Sequence, residues 1–472
     1  MSGSTLFRMA LGALAMAATM HLQATTFHVD PVDGSDATGD GSAAQPWRSL
    51  GHVFDADLVE TRVWPDYPYE SGMELVPVNE GAPVRAGDTI LLHDGYHGNL
   101  VIEHAYNTAP ITVAAAPGER PLARSLLVRA AQNWIVEGIA VSAASGGDDW
   151  PATLVEVIDH NFFGPSRDIR LENLDIDTVP DASAWGVEEW RDHASSGVKI
   201  TASRSAISGS RIRNVRFGIS VTGDDVTVRG NTIDGFSADG LRGLGDRGVY
   251  EYNTVRNSKI GDDLDGNHDD GFQSWSVGAA GVGTGVVRDV VLRGNVFIGA
   301  TDPDDPLRGS MQGIGCFDGF FEGWVVENNV VVVDHFHGIS FYGMRDSRIV
   351  NNSVIDLVPG SPGPTWVRLN NHKNGTPSEN VVVRNNLAPR FVVGGTAIES
   401  DHNVEIADAD ALFVAPPLDL HLRAGAAVID AGSPDLAPVA DADGVPRPQG
   451  AGVDIGAYEF RGDAIFADGF ED

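Results

Sequence analysis

One alternating pattern recurs in seven segments: SGVKIT (196–201), FGISVT (217–222), DGLRGL (239–244), DGFQSW (270–275), QGIGCF (312–317), HGISFY (337–342) and TWVRLN (365–370). Counted from the second residue of each segment, the spacings are 21, 22, 31, 42, 25 and 28 residues. The third residue is always apolar, as expected for a strand that buries alternate side chains. A strand that returns at such spacings predicts a solenoid of stacked coils, some of them carrying loop insertions.

The alternation assigns each side chain to the core or to the outer surface. The inward residues are Val198, Ile219, Leu241, Phe272, Ile314, Ile339 and Val367. One outward column is Lys199, Ser220, Arg242, Gln273, Gly315, Ser340 and Arg368, and a second is Thr201, Thr222, Leu244, Trp275, Phe317, Tyr342 and Asn370.

A separate column, which lies at turns outside these segments, consists mainly of asparagine. Its members are Asn173, Ser210, Asn231, Asn253, Asn295, Asn329, Asn352 and Asn386. Asparagine tolerates left-handed backbone angles, and its amide can bond to equivalent residues in the coils above and below. The column of repeated strands and the column of turn asparagines recur together along the chain. This agreement predicts an all-β fold, a parallel β-helix wound from a single chain, with few helices.

Three further stretches resemble the secreted right-handed parallel β-helix proteins of the pectate-lyase-like superfamily. The first is Thr25–Leu50, a short strand, a Gly/Asp/Ser loop and a Pro-Trp pair. The second is VRAGDTILLHDGYHGNL (84–100) followed by ITVAAAPGERP (111–121). The third is DLHLRAGAAVIDAGSP (419–434) with ADADGVPRPQGAGVDIGAYEF (440–460). The resemblance implies a right-handed helix over almost the whole mature chain, but one fold hosts many chemistries.

The chain divides into five predicted regions. Residues 1–24 are expected to be a secretory signal, because an apolar run too short to span a bilayer follows Arg8. Residues 25–128 form an N-terminal cap and the first coils, and residues 129–405 form the main β-helix. Residues 406–460 are expected to cap the last coil, and residues 461–472 form a tail.

An insertion at residues 52–83 contains Trp64, Tyr67 and Tyr69. We expect it to cover the open N-terminal end of the core. The alternative is an aromatic platform that binds sugars.

Charge and composition limit the classes of partner. The chain has 32 basic and 66 acidic residues, a net charge of −34, which argues against nucleic-acid binding because phosphates require clustered cations. No later stretch is long and apolar enough for a membrane span. Cys316 is the only cysteine and is expected to be a buried thiol. We expect a secreted monomer, extracellular or periplasmic, with a polysaccharide as its partner.

The most acidic stretch, KIGDDLDGNHDDGFQSW (259–275), leads directly into one of the predicted strands. Oxygen ligands stand at alternate positions, Asp263, Asp265, Asn267 and Asp269, as hard cations such as calcium require. The loop lacks the glycine and the terminal glutamate of an EF-hand, and His268 takes the place of that glycine. The alternatives are a calcium site and a solvated acidic loop.

Coils of a parallel β-helix stack about 4.8 Å apart, so one column forms a ladder along which an extended polymer can lie. Acids, bases and aromatics concentrate on this predicted face. The predicted catalytic residues are Arg242, Asp270, His337 and Tyr342, and the predicted substrate-binding residues are Lys199, Asp239, Gln273, Trp275 and Arg368.

The resemblance implies a polysaccharide lyase that cleaves uronic-acid polymers by β-elimination, or an epimerase with nearly the same groups. This chemistry needs a cation or arginine at the sugar carboxylate, a base and a proton donor. The family's usual lysine or arginine base beside calcium has no clear match here. One alternative is a glycoside hydrolase with Asp239 paired to Asp270 or Asp269. Another is a glycan-binding or adhesin-type protein without activity.

Overall fold

The structure is a computed structural model that describes residues 24–147, 149–261, 264, 266–302, 304–358, 360 and 362–462. Its strands pair in parallel with the equivalent strands of the coils before and after, which makes it a parallel β-helix. Most coils carry three short strands, so the solenoid has three faces. The first face holds the strands of the seven repeated segments, the second face holds the other strands of the first sheet, and the third face is the second sheet.

The strands of the first sheet are Thr26–Val29, Thr89–Leu92, Asn99–Ala115, Ser125–Glu137, Thr153–Ile158, Arg167–Glu172, Ser196–Ile200, Ala206–Ser208, Ile219–Val221, Thr227–Arg229, Leu241–Gly243, Val249–Glu251, Asp270–Trp275, Val286–Arg288, Val291–Arg293, Gln312–Asp318, Phe320–Glu322, Val325–Glu327, His337–Tyr342, Met344–Val350, Trp366–Asn370, Glu379–Arg384, Arg390–Val393 and Glu399–Asp401. Those of the second sheet are Gly95–Tyr96, Pro121–Ala123, Ala140–Ser142, Asp175–Asp177, Arg211–Val215, Thr232–Phe236, Thr254–Ser258, Val296–Ile298, Val330–Val333, Ser353–Asp356, Leu387–Ala388 and Val404–Glu405.

Short elements decorate the coils. Three antiparallel hairpins pair Thr61–Val63 with Val76–Val78, Val277–Gly278 with Gly281–Val282, and Phe413–Ala415 with Asp419–Leu422. The helical elements of the described residues are the α-helix Leu50–Asp55, the 3₁₀ turn Ala143–Gly146 and the π-helical turn Glu189–His193. Each of these is far too short to cross a bilayer.

The inward column on the first face has the predicted register. Val198 pairs with Ile219, and the ladder continues through Leu241, Phe272, Ile314, Ile339 and Val367. All seven side chains are buried, as is the Cys316 thiol. The outward register is interrupted at a bulge where Trp275 pairs with Asp318 instead of Phe317. The pairing shifts again between His337 and Ile339, so that His337 pairs with Trp366 instead of Thr365.

Glycine occupies the second position of all but the last of the repeated segments. At this position the inward–outward alternation of the strand is interrupted. A Cβ at Gly240 would lie 2.2 Å from Val255 Cγ1, and one at Gly271 would lie 2.6 Å from Phe297 Cδ1. The missing side chains therefore point inward, and strict alternation breaks at this position. The residue before each glycine consequently belongs to the outer surface, although the period-two count alone would turn it inward.

Asparagine side chains form a continuous ladder through the buried turns. Both the backbone N and Nδ2 of Asn231 donate to Asn253 Oδ1 at 3.0 Å. The same pair of bonds repeats through Asn295, Asn329, Asn352 and Asn386 and ends at Asn403. The predicted bonding between coils is confirmed.

The left-handed backbone angle, in contrast, belongs to the residue before each rung of this ladder. Examples are Tyr252 (φ 56°) and Asn328 (φ 57°). Asn173 is itself left-handed (φ 55°) and so lies one residue before the rung, which is Leu174, whose N donates to Ser210 Oγ at 3.1 Å. The alignment of Asn173 with the ladder was therefore wrong by one residue.

The outward column of the third face changes character along the solenoid. It begins with paired charges and continues with apolar side chains, in the order Asp177, Arg213, Asp234, Arg256, Ile298, Val332 and Ile355. The apolar part forms a second hydrophobic core with residues of the C-terminal segment, among them Phe413 and Leu420. An apolar outer column needs a cover, and this segment supplies it.

Hydrogen bonds fix the C-terminal segment along the side of successive coils. Asn328 Nδ2 donates to the Ala440 carbonyl at 2.7 Å, and Asn351 Nδ2 donates to the Asp454 carbonyl at 3.1 Å. These contacts hold Ala440 and Asp454 beside the third face, while a cap over the last coil by residues 406–460 stays a prediction.

The N-terminal helix and insertion pack against the first coils. Leu50 and Val53 are buried in the main core. Trp64 is 5% exposed, and its Nε1 donates to the Tyr106 hydroxyl at 2.8 Å. Trp64 thus packs against the protein, and its ring is not presented as an open sugar platform.

Candidate functional site

Two groups of residues on the first face contain most of the predicted site residues, together with others. The first group, which we name the acid pit, consists of Asp239, Arg242, Asp270, Gln273 and Gln312. Asp239 forms a salt bridge with Arg242, and the backbone N of Asp270 donates to Asp239 Oδ1 at 3.1 Å. Gln273 Nε2 donates to Asp270 Oδ2 at 2.9 Å. Asp239 and Asp270 therefore come from neighbouring coils, as the strand register predicted, and a backbone hydrogen bond joins them.

These carboxylates are much less accessible than expected. Asp239 is 1% exposed and Asp270 is 0% exposed. Burial raises the pKa of both groups, and for Asp270 the charges of Asp239 and Asp269 raise its pKa further. The assumption that this outer position is solvent-exposed was wrong for both residues. For Asp270, the burial is possible because residue 315 is glycine. A Cβ at Gly315 would lie 2.2 Å from Asp270 Oδ1 and would fill the space that this carboxylate occupies.

Two buried oxygens of the acid pit lack hydrogen-bond donors among the described residues, namely Asp270 Oδ1 and Gln312 Oε1. Uncompensated buried acceptors cost free energy, so a cation or a polar ligand at this point would be stabilising.

The predicted calcium ligands are described only in part. Asp269 is buried and its Oδ2 accepts a hydrogen bond from Ser258 Oγ at 2.6 Å, while Asn267 Nδ2 donates to the His268 carbonyl at 3.1 Å. Asp263 and Asp265 lie outside the described residues. Within the described ranges, no three histidine, cysteine or acidic side chains converge as a metal site.

Arg242 is held between rings and an acid. Its guanidinium lies 3.9 Å from the Phe217 ring centroid and 5.3 Å from that of Trp275, besides its salt bridge to Asp239. A substrate carboxylate would have to compete with Asp239 for it. Lys199 is 51% exposed and lies two coils away, about 10 Å at the usual strand spacing.

The second group, which we name the Arg368 patch, consists of Phe317, His337, Tyr342, Trp366 and Arg368. The Arg368 guanidinium lies 5.0 Å from the Trp366 ring centroid and 5.5 Å from that of Tyr342. Phe317 contacts His337 and Tyr342, with ring centroids 4.8 and 5.3 Å apart. The patch therefore combines a cation, a phenol and an imidazole within a wall of aromatic rings.

Arg368 has no acidic partner among the described residues. Its Nε is buried without a hydrogen bond, and no described carboxylate is within ion-pair distance of its guanidinium. Arg368 is only partly buried, but its enclosed Nε lacks an acceptor, and an anionic ligand would supply one.

Hydrogen bonds fix the ring of His337. Ser340 Oγ lies 2.8 Å from its Nδ1, and Trp366 Nε1, which can only donate, lies 3.1 Å from the same atom. Trp366 Nε1 also lies 3.2 Å from Ser340 Oγ. Where its N–H is donated to His337 Nδ1, the neutral ring carries its proton on Nε2. Burial, then the neighbouring His335 and Arg368, lower the pKa of His337 to about 3. The His337 ring is therefore neutral near pH 7.

Phe317, Trp366, Ser340 and Gln312 were absent from the predicted site. Trp366 had a visible signal, since it replaces glycine in the aligned column, and Phe317 follows Trp275 in the outward column. Ser340 and Gln312 gave no signal, because their importance depends on contacts from other coils.

Comparisons with known proteins concern the architecture. Residues 193–354 match the family model described as "Right handed beta helix region". No curated protein matches this sequence.

Among solved structures, the pectate lyase Pel9A is 15% identical, with 92% of this chain and 96% of that chain covered and a TM-score of 0.47. The GH136 lacto-N-biosidase from Eubacterium ramulus is 15% identical, with 80% and 68% covered and a TM-score of 0.43. A mannuronic acid specific polysaccharide family 6 lyase from human gut microbiota is 16% identical, with 68% and 78% covered and a TM-score of 0.39. The family match and the parallel ladders confirm the predicted fold, a right-handed parallel β-helix.

Proposed function

We propose that this protein is a polysaccharide lyase that cleaves a uronic-acid-containing polymer at the Arg368 patch. The observation that carries the proposal is the unpaired guanidinium of Arg368 beside the phenol of Tyr342 and the imidazole of His337. β-Elimination begins with loss of a proton from the carbon next to a carboxylate, and a cation at that carboxylate stabilises the negative charge that develops.

Each group of the patch has a role in this reaction. Arg368 binds the uronate carboxylate through two parallel hydrogen bonds. Tyr342, as a phenolate, accepts the proton from the carbon beside the carboxylate. The electron pair of that C–H bond forms a carbon–carbon double bond while the glycosidic C–O bond breaks, and the Tyr342 phenol then returns the proton to the leaving glycosidic oxygen. His337 donates its Nε2–H to a sugar oxygen. Phe317 and Trp366 hold these groups in place and exclude water.

Calcium at the acidic loop is part of the same proposal. Asp263, Asp265, Asn267 and Asp269 would hold the ion, and the unsatisfied Oδ1 of Asp270 is an acceptor of the kind that calcium binds. When bound, the ion would neutralise buried carboxylates and attract a second uronate group. Secretion through the signal expected at residues 1–24 is also part of the proposal. The described part of the chain begins at residue 24.

A glycoside hydrolase is the second candidate, favoured by the coupled carboxyl groups of Asp239 and Asp270. A raised pKa in one of a pair of acids suits the general acid of such enzymes. Against it, neither carboxyl group is accessible to a substrate without movement of the residues that cover it.

The test is an ultraviolet assay for unsaturated products with polygalacturonate, alginate and rhamnogalacturonan, in buffers with calcium and with chelator. We expect one polymer to yield the chromophore and Arg368→Ala to reduce turnover at least 100-fold. Arg345→Ala is the matched control, because Arg345 also stacks on a ring, 3.9 Å from the Phe320 centroid, but lies on the second face. Reducing ends without a chromophore would indicate hydrolysis. No reaction with any polymer, or equal activity of the two arginine variants, would refute the proposal.

A further inference from the structure

A second concave surface lies on the third face, away from both the acid pit and the Arg368 patch. This third-face cleft has a volume of about 420 Å³, which is within the range of small-ligand sites. Its floor is the charged part of the third face, at Arg211, Arg213 and Asp234. One wall is the segment 180–190, and the other contains Asp305 and Leu307.

The first wall is a rigid aromatic surface. Trp190 is 2% exposed, and its carbonyl accepts a hydrogen bond from Ser237 Oγ at 2.8 Å. Trp185 packs edge-to-face with Trp190, with ring centroids 4.9 Å apart, and stacks on Trp150, with ring centroids 6.3 Å apart. The Trp185 ring, which is only partly buried, is therefore fixed before any ligand arrives.

The charges that line the cleft balance. The cations are Arg211, Arg213 and Lys259, and the anions are Asp181, Asp234 and Asp305. Lys259 is paired with Asp305, and Arg213 is paired with acids of the preceding coil. Arg211 is exposed and has no described ionic partner. Asp181 has none either, although its Oδ1 accepts a hydrogen bond from Ser183 N at 2.8 Å. Such a lining has no excess of cations that would select a phosphate or a uronate.

From this combination we propose that the third-face cleft binds a neutral oligosaccharide, as a binding site separate from the proposed catalytic face. A tryptophan ring offers an apolar surface for the C–H face of a sugar. Arginine, aspartate and amide side chains offer paired donors and acceptors for its hydroxyl groups. Binding at this cleft would keep the protein on a polymer whose acidic segments react on another face.

The experiment measures binding by isothermal titration calorimetry with cellohexaose, xylohexaose, mannohexaose, maltohexaose and, as an anionic comparison, hexagalacturonate. We expect at least one neutral hexasaccharide to bind and Trp185→Ala to weaken it tenfold or more. Arg211→Ala should also weaken it and, being exposed, should leave the melting temperature unchanged. Arg390→Ala, an exposed arginine at the far end of the solenoid, should leave the affinity unchanged.

The outcomes separate this proposal from the proposed lyase function. The Arg368→Ala variant should bind the neutral hexasaccharide with unchanged affinity. Loss of lyase activity in that variant would therefore not contradict the proposed binding site. Absence of binding by all four neutral hexasaccharides would overturn it. It would also be overturned by binding that neither Trp185→Ala nor Arg211→Ala reduces, or by a cleft that takes only hexagalacturonate.

Discussion

The asparagine ladder can be tested at its centre by Asn295→Ala. Asn295 Oδ1 accepts from the backbone N and Nδ2 of Asn253 at 3.1 and 2.9 Å. Its Nδ2 donates to the Tyr250 carbonyl at 2.9 Å and to Asn329 Oδ1 at 3.0 Å. Alanine removes all of these bonds at a position that is fully buried.

The magnitude follows from what the substitution leaves behind. The buried N–H of Asn253 loses its acceptor, which costs about 1–3 kcal/mol, and the other three bonds contribute about 0.5–1.5 kcal/mol each. We therefore expect Asn295→Ala to lower the free energy of unfolding by about 3–7 kcal/mol. This is more than most single substitutions cost.

Urea unfolding followed by far-ultraviolet circular dichroism measures the effect, with Asn403→Ala as the matched control. Asn403 forms the last rung, accepts from Asn386 at 3.0 and 2.9 Å, and is partly exposed, so water can replace the lost groups. A cost for Asn295→Ala that does not exceed that of Asn403→Ala would show that the ladder contributes no more at its buried centre than at its wet end.

Three further predictions concern calcium, packing and pH. Calcium should raise the melting temperature and chelator should lower it, since a ligand of the folded state alone stabilises that state; no shift and no metal by elemental analysis would contradict this. Gly271→Ala should cost about 1–3 kcal/mol because its Cβ would lie 2.6 Å from Phe297, whereas Gly51→Ala, with open space around it, should cost nothing in the same urea titration. Burial disfavours protonated His421, but its two aspartate partners outweigh this and raise its pKa above 6.5. Its contribution to stability is therefore complete below pH 6.5 and is lost as the pH rises through the folded value; His421→Gln should remove that part of the pH dependence of melting.

The inward columns could be predicted because core burial acts on each residue through its own position in the strand. Leu241 and Phe272 are apolar and alternate with Arg242 and Gln273, and no knowledge of the loops is needed to place them. The same reasoning placed the candidate face on the outer surface of consecutive coils.

The degree to which a side chain on that outer face is buried could not be predicted, because it depends on residues of the neighbouring coil. Asp270 is buried because residue 315 is a glycine and leaves a space. The place of the C-terminal segment was also hidden. The apolar residues Ile298 and Val332 are visible in the sequence, but the sequence does not say which segment covers them.

Arginines on the first and second faces differ in their ion pairing, and this difference supports the role of Arg368 in the proposed function. On the second face, arginine and glutamate alternate in a chain of ion pairs: Arg229, Glu251, Arg293, Glu327 and Arg348, with N–O distances of 2.9, 3.3, 2.6 and 3.1 Å. There each guanidinium faces a carboxylate of an adjacent coil, so these charges need no ligand. Stacked coils can therefore neutralise an arginine with a single substitution in the next coil. At Arg368 the register neighbours are Ser340 and Val392, and neither supplies that carboxylate. Because other coils supply an anion so readily and the described residues supply none at Arg368, the proposed function assigns that anion to the substrate.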